Sequence, residues 1–171
     1  MERKLLITQG ERAACNSPDT VISTILGSCV SCCLWDPVAQ AGGMNHMLLT
    51  VSVSRNGICD LGGLNAMELL INDILKLGGR RDRLHAKAFG GAKMMAGLGD
   101  IGKRNSEFAL DFFRKEGIVC EGHSLGGTEA RQIMFWPATG RVRMKASQDA
   151  PRENLAEVAS KPEPGNDMEL F

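Results

Sequence analysis

Val21-Ile22-Ser23-Thr24-Ile25-Leu26-Gly27-Ser28-Cys29-Val30-Ser31-Cys32-Cys33-Leu34-Trp35 holds two strand-like runs, Val21–Ile25 and Val30–Trp35, separated by a Leu26-Gly27-Ser28 turn. Both runs are rich in β-branched and apolar residues, as strands are. Working outward, Met44–Val53, Ala86–Phe89, Gln132–Trp136 and Arg141–Lys145 have the same character, and Pro137-Ala138-Thr139-Gly140 reads as a hairpin turn between the last two. Two stretches have helical spacing instead. Leu64–Leu77 places Met67, Leu70, Ile71, Ile74 and Leu77 on one stripe before Gly78-Gly79, and Ser106–Glu116 places Phe108, Phe112 and Phe113 on another, with Asn105 as its cap and Gly117 as its stop. Strands in runs with only two helices predict an α+β layered sandwich, not a regular βαβ series.

With 171 residues the chain is sized for one domain, and 43% hydrophobic with 23% charged residues excludes disordered and collagen-like classes. The formal net charge of zero removes bulk positive charge as a reason to expect a nucleic-acid partner. No apolar run approaches the roughly 20 residues needed to cross a bilayer, and the run after Met1-Glu2-Arg3-Lys4 is too short for a signal-peptide core, so a cytoplasmic protein without membrane insertion is expected. Charge is uneven along the chain. Residues 147–171 carry two basic side chains against six acidic ones and three of the six prolines. That stretch reads as an acidic, disordered tail with a helical turn near Glu153–Val158, following a domain at 1–146. Met168-Glu169-Leu170-Phe171 reads as a frayed end more readily than as a docking motif.

Six cysteines at 15, 29, 32, 33, 59 and 120 fit free thiols in a reducing compartment. Cys29-Val30-Ser31-Cys32 is a C-x-x-C, yet a closed zinc site needs a second pair or two histidines, and His46, His85 and His123 are scattered. Cys32 and Cys33 read as small hydrophobes, one on each face of the strand. Gly97-Leu98-Gly99-Asp100-Ile101-Gly102 fits the letters of the dinucleotide fingerprint, but no strand ends just before it, so a nucleotide cofactor is not expected. Cys29 is different, because it stands at the mouth of a strand after a glycine turn whose amides can face a reacting carbonyl. Gly42-Gly43-Met44-Asn45-His46 opens a second strand, and a polar Asn-His pair in an apolar run needs a partner if buried. Pattern alone favours a satisfied core histidine; the thiol at the glycine turn raises the alternative of a Cys-His pair.

Leu26-Gly27-Ser28-Cys29-Val30, Trp35-Asp36-Pro37 and Gly42-Gly43-Met44-Asn45-His46 strongly resemble the CheD family of chemoreceptor glutamine deamidases. So do Ala66–Asn72, Phe89-Gly90-Gly91-Ala92, Ile101–Asn105, Leu125-Gly126-Gly127, Arg131 and Thr139–Val142, so that the likeness spans roughly residues 20–145. The resemblance implies hydrolysis of a glutamine side-chain amide to glutamate on methyl-accepting chemotaxis receptors, through a cysteine thioester. It also implies a sandwich similar to toxin deamidases of the cytotoxic necrotizing factor type, and in some species a CheC-type phosphatase as partner. Cys29 matches the nucleophile and His46 the histidine. The third, hydroxyl-bearing group falls six residues before the cysteine, at Ser23, with Thr24 beside it as the alternative. Gly27 and Ser28 belong to the turn that would hold the oxyanion. Gly62 and Ser124 depart from the residues common at those places, and the acidic tail lies outside the shared pattern. No metal or organic cofactor is implied. The rival readings are a non-catalytic adaptor that binds receptor and phosphatase, and, weakest, a redox or metal sensor built on Cys29, Cys32 and Cys33.

Overall fold

Every residue of Val30–Asp36 is buried, and its two faces enter two different apolar clusters. In a computed structural model describing residues 1–49, 52–54, 57–59, 61–94, 100–148 and 169–171, this strand is the centre of a sheet sandwiched between a second sheet and a helical layer. The elements run β1 (Arg3–Leu6), β2 (Arg12–Cys15), β3 (Thr20–Leu26), β4 (Val30–Asp36), β5 (Ala41–Asn45), β6 (Ser52–Ser54), β7 (Gly57–Cys59) and α1 (Leu61–Lys76). They continue with β8 (His85–Gly90), α2 (Ile101–Glu116), β9 (Val119–Leu125), β10 (Ala130–Trp136), β11 (Arg141–Ser147) and β12 (Glu169–Leu170). One five-stranded sheet has the order β1-β3-β10-β11-β12, the other β2-β5-β4-β8-β9, and β6-β7 form a separate hairpin.

Val30, Cys32 and Leu34 face the helices, packing with Met67, Leu70, Ile71, Ile74, Phe112 and Phe113. Cys29, Cys33 and Trp35 face the other sheet and meet Ile22, Leu26, Phe89, Ile133 and Phe135. The period of two along a strand thus divides one apolar run between two cores. The expected α+β architecture with two helices is present, and the Pro137–Gly140 turn joins antiparallel β10 and β11. A single β8–α2–β9 unit is parallel, within an otherwise mostly antiparallel arrangement.

Five strands, β1, β2, β7, β9 and β12, escaped the sequence reading. β1 and β9 expose alternate or nearly all positions, and β2 is only four residues long, so none has an apolar run to announce it. The expected Met44–Val53 strand is not one element: β5 runs Ala41–Asn45 and Ser52–Ser54 belongs to the separate β6-β7 pair, and the glycines of β5 are required there. A Cβ on Gly43 would stand 2.7 Å from the Ala13 carbonyl oxygen and 2.8 Å from Leu70. α2 begins at Ile101, ahead of the expected start, which leaves Asn105 inside the helix and fully buried rather than capping it. Residues 149–168, which include most of the expected acidic tail and its helical turn, lie outside the described residues. Glu169–Leu170 pair with Arg143–Met144 of β11, and the Phe171 ring meets Phe89 edge-on at 5.4 Å between centroids.

Asp36, in the Trp35-Asp36-Pro37 turn, is a fully buried carboxylate with a structural task. It accepts from the N–H groups of Val38, Ala39 and Arg80 and from the Arg83 guanidinium. Burial alone would raise its pKa, yet the guanidinium and these N–H groups outweigh it and hold the carboxyl at about 2.

Candidate active site

The turn from β3 to β4 is held by its carbonyls. Gly27 O accepts from Ala92 N at 3.0 Å, Cys29 O from Gly91 N at 2.9 Å, and Ser28 O from Asn105 Nδ2 at 2.8 Å. A trans peptide sends its N–H opposite to its C=O, so the N–H of Ser28 is directed away from the 90–92 segment and the N–H of Cys29 away from Asn105. Asn105 also accepts from Leu49 N at 3.0 Å, and so ties α2 to both strand ends that carry the site. Gly90 has φ +111°, and a Cβ there would overlap the Cys29 carbonyl, which explains glycine at this position. Arg131, buried on β10, donates to the carbonyls of Gly90 and Gly126 at 3.2 and 2.8 Å. The Phe89–Ala92, Leu125–Gly127 and Arg131 segments therefore form one scaffold behind the Cys29 turn.

Val30 and Met47 exchange both backbone hydrogen bonds, at 3.0 and 2.8 Å, in register with the Cys33–Met44 pair further along β4 and β5. That register sets Ser31 opposite His46 and places Cys29 diagonally across from His46 on the same face, a separation of about 7–8 Å between backbones that is within side-chain reach. Asn45 points the other way. Its Oδ1 accepts from Cys32 N at 2.9 Å, which satisfies the polar neighbour of the histidine inside an apolar run.

His46 is buried, and its Nδ1 lies 2.7 Å from Thr24 Oγ1. The Thr24 hydroxyl also donates to Ile7 O at 2.8 Å. A hydroxyl has one proton, and a carbonyl only accepts, so that proton is spent on Ile7 and Thr24 must accept from Nδ1–H. The neutral ring is thereby fixed as the Nδ1–H tautomer, with the lone pair on Nε2. Burial pushes the His46 pKa down to about 4, against a smaller upward pull from Glu11. At neutral pH the imidazole is an uncharged base.

Ser23, expected as the hydroxyl partner, does not meet the ring. Thr24 shares one face of β3 with Ile22 and Leu26, and the alternation of the strand turns Ser23 to the opposite face, where it is buried as well. Of the residues singled out in the sequence, the structure brings together Cys29, His46, Thr24, Gly27 and Ser28. Cys32 and Cys33 lie on opposite faces of β4, and burial raises both thiols well above their ordinary range. Cys29 and Cys33 share a face but are four residues apart, roughly 13 Å along a strand, too far to ligate one ion together. Gly97–Gly99 of the dinucleotide-like letters lie outside the described residues. Asn105 and the Ile7 carbonyl escaped the sequence reading; Asn105 was legible only as a cap, and a backbone acceptor has no sequence signal. Gln9 was missed too. Its Oε1 is 4.0 Å from Cys29 Sγ.

A thiol and a neutral imidazole on one face, with the imidazole locked from behind by a hydroxyl, define a cysteine–histidine site able to perform acyl transfer through a thioester. The sandwich presents that site at the ends of its strands. Comparison with known proteins agrees in kind: the chain belongs to the CheD family. A family model described as CheD chemotactic sensory transduction matches residues 63–146, the scaffold half that holds Asn105 and Arg131. The likeness to whole relatives spans nearly the full chain. The chain is 47% identical to a probable chemoreceptor glutamine deamidase CheD of Acidiphilium cryptum, over 99% of this chain and 94% of that one. It is 45% identical to the protein of the same description from Agrobacterium fabrum, over 99% and 97%. For Caulobacter vibrioides the identity is 49%, over 88% and 82%. Among solved structures, the Bacillus licheniformis hypothetical protein YfiH aligns with a TM-score of 0.46 and 12% identity, covering 66% of this chain and 49% of that one.

Proposed function

We propose that this protein is a chemoreceptor glutamine deamidase, a hydrolase that converts receptor glutamines to glutamates in chemotaxis. The observation that carries the chemistry is the Ile7–Thr24–His46 chain of hydrogen bonds, which leaves Nε2 as the basic nitrogen on the face shared with Cys29. His46 Nε2 takes the Cys29 proton, and the thiolate attacks the substrate's carboxamide carbon. The N–H groups of Ser28 and Cys29, turned away from the 90–92 segment and from Asn105 respectively, receive the oxyanion. As the C–N bond breaks, His46 returns its proton to the departing ammonia. His46 then activates a water that cleaves the thioester, so the balance is glutamine plus water to glutamate plus ammonia. Thr24 keeps the ring in one tautomer throughout.

The same reading includes a cytoplasmic location, a CheC-type phosphatase as partner, and a sandwich akin to toxin deamidases of the cytotoxic necrotizing factor type; each rests on the family resemblance. Among the described residues no helix is long and apolar enough to cross a membrane. Mass spectrometry of receptor peptides after incubation with the protein tests the activity. Conversion of glutamines to glutamates by wild type, abolished by Cys29→Ala and retained by the folded fraction of Cys32→Ala, supports it. Unchanged receptor glutamines would instead favour the non-catalytic adaptor.

A further inference from the structure

Gln9 holds its carboxamide over the proposed nucleophile. Its Oε1 lies 4.0 Å from Cys29 Sγ, and the residue is exposed where Cys29 is only 3% exposed, so the amide stands between the thiol and the exposed surface that Gln9 belongs to. The backbone that carries it is fixed. Ile7 N donates to Ser23 O at 2.9 Å, Gly10 N to His46 O at 2.8 Å, Glu11 N to Thr8 O at 2.9 Å, and His46 N to Glu11 O at 3.0 Å. The Thr8 hydroxyl and N–H both donate to the Glu11 carboxylate, at 3.0 and 2.7 Å, and Gly10 turns the chain with φ +83°. Gln9 is thus carried on a tight turn bonded directly to the strand end of His46, with only its side chain left to rotate.

A carboxamide attacked by Cys29 Sγ comes within reach of this amide, which is 4.0 Å from the sulfur. While the thiol keeps its proton, the S–H donates to Oε1. Once His46 takes the proton, the sulfur has none to give, and half a turn about the broad terminal torsion puts Nε2–H₂ where Oε1 was. The side chain then offers donors at the place where the substrate oxygen gains charge, on a support that does not reorganise. We propose that Gln9 is a catalytic residue whose side-chain N–H₂ binds the substrate carboxamide oxygen and the oxyanion formed from it. This rests on the deamidase reading of the site.

The test compares wild type, Gln9→Met, Gln9→Glu and Cys29→Ala, all checked for unchanged melting temperature. It measures kcat and KM for ammonia release from receptor, and the rate of Cys29 alkylation by iodoacetamide, a displacement that builds no oxyanion. Gln9→Met keeps the length of the side chain without a donor, and Gln9→Glu replaces the donor with a negative charge. The expected result is a fall in kcat of about 10²–10³-fold in both, with KM within a few-fold and the alkylation rate of Gln9→Met unchanged. A Gln9→Met kcat within twofold of wild type overturns the proposal, as does faster alkylation with undiminished turnover, which would make Gln9 a mere cover. Equal losses in turnover and alkylation would assign it to thiol activation instead. Glutamate at position 9 in purified wild type but not in Cys29→Ala would make it a substrate, and overturns the proposal too. Absence of ammonia release from wild type defeats the deamidase reading itself, and so is told apart from a failure at Gln9.

Discussion

The hydroxyl of Thr24 has a single proton, and its donation to Ile7 decides how the neighbouring imidazole is protonated. Thr24→Val keeps the shape and removes the acceptor, so the ring loses its fixed tautomer. Turnover should fall by up to about 10²-fold, the cost of a misplaced catalytic group, while Ser23→Ala stays near wild type. Ammonia release by the two variants decides between them, and the opposite ranking would return the role to Ser23. A second consequence is thermodynamic. The His46 pKa is about 4 in the folded protein against 6.5 when unperturbed, so between these values the folded state binds fewer protons than the unfolded chain. Stability is therefore complete above about pH 6.5 and declines as pH falls toward 4, by on the order of 3 kcal/mol. Urea melts across this window should lose that slope in His46→Gln. Asp36, held at about 2, sheds its own contribution only below the ordinary carboxylate value of 3.8, so the two effects separate on the pH axis.

At the scale of elements, the site hangs on one side chain of α2. Asn105 donates to Ser28 O and accepts from Leu49 N, and Asn105→Ala strands both backbone groups in a buried place. The expected loss is about 2–4 kcal/mol in denaturant unfolding, with slower Cys29 alkylation because the turn is no longer held. This role was illegible in the sequence, where an asparagine ahead of Phe108, Phe112 and Phe113 satisfies the rules for a helix cap equally well. The doubly buried β4 and the apolar stripe of α1 were legible because burial is written into residue type. β1 and β9 were not, since strands with exposed faces owe their existence to neighbours and not to their own composition. Cys29 and His46 could be picked out by their settings, a thiol at a glycine turn and a polar pair in an apolar run. The choice between Ser23 and Thr24 depends on which face of β3 looks inward, and two adjacent hydroxyls carry no mark of that.

Across the whole molecule, the two sheets are joined by the core around Ile22, Phe89, Ile133 and Phe135, and Phe171 adds a ring at the β11 edge. Phe171→Ala should cost about 1 kcal/mol, a fall of roughly 2–4 °C in melting temperature, with turnover unaffected. The hydrogen bond from His46 to Thr24 has a further meaning at this scale. Thr24 belongs to one sheet, whereas Cys29 and His46 border the other, so the alignment of the proposed catalytic groups is also the alignment of two plates. A slip of about an ångström between them would separate ring from hydroxyl long before either sheet lost its own ladder. Activity should accordingly vanish at a lower urea concentration than the far-ultraviolet dichroism signal, and coincident midpoints would refute the idea. In effect the reaction rate is a strain gauge, reading how squarely one layer of the sandwich lies upon the next.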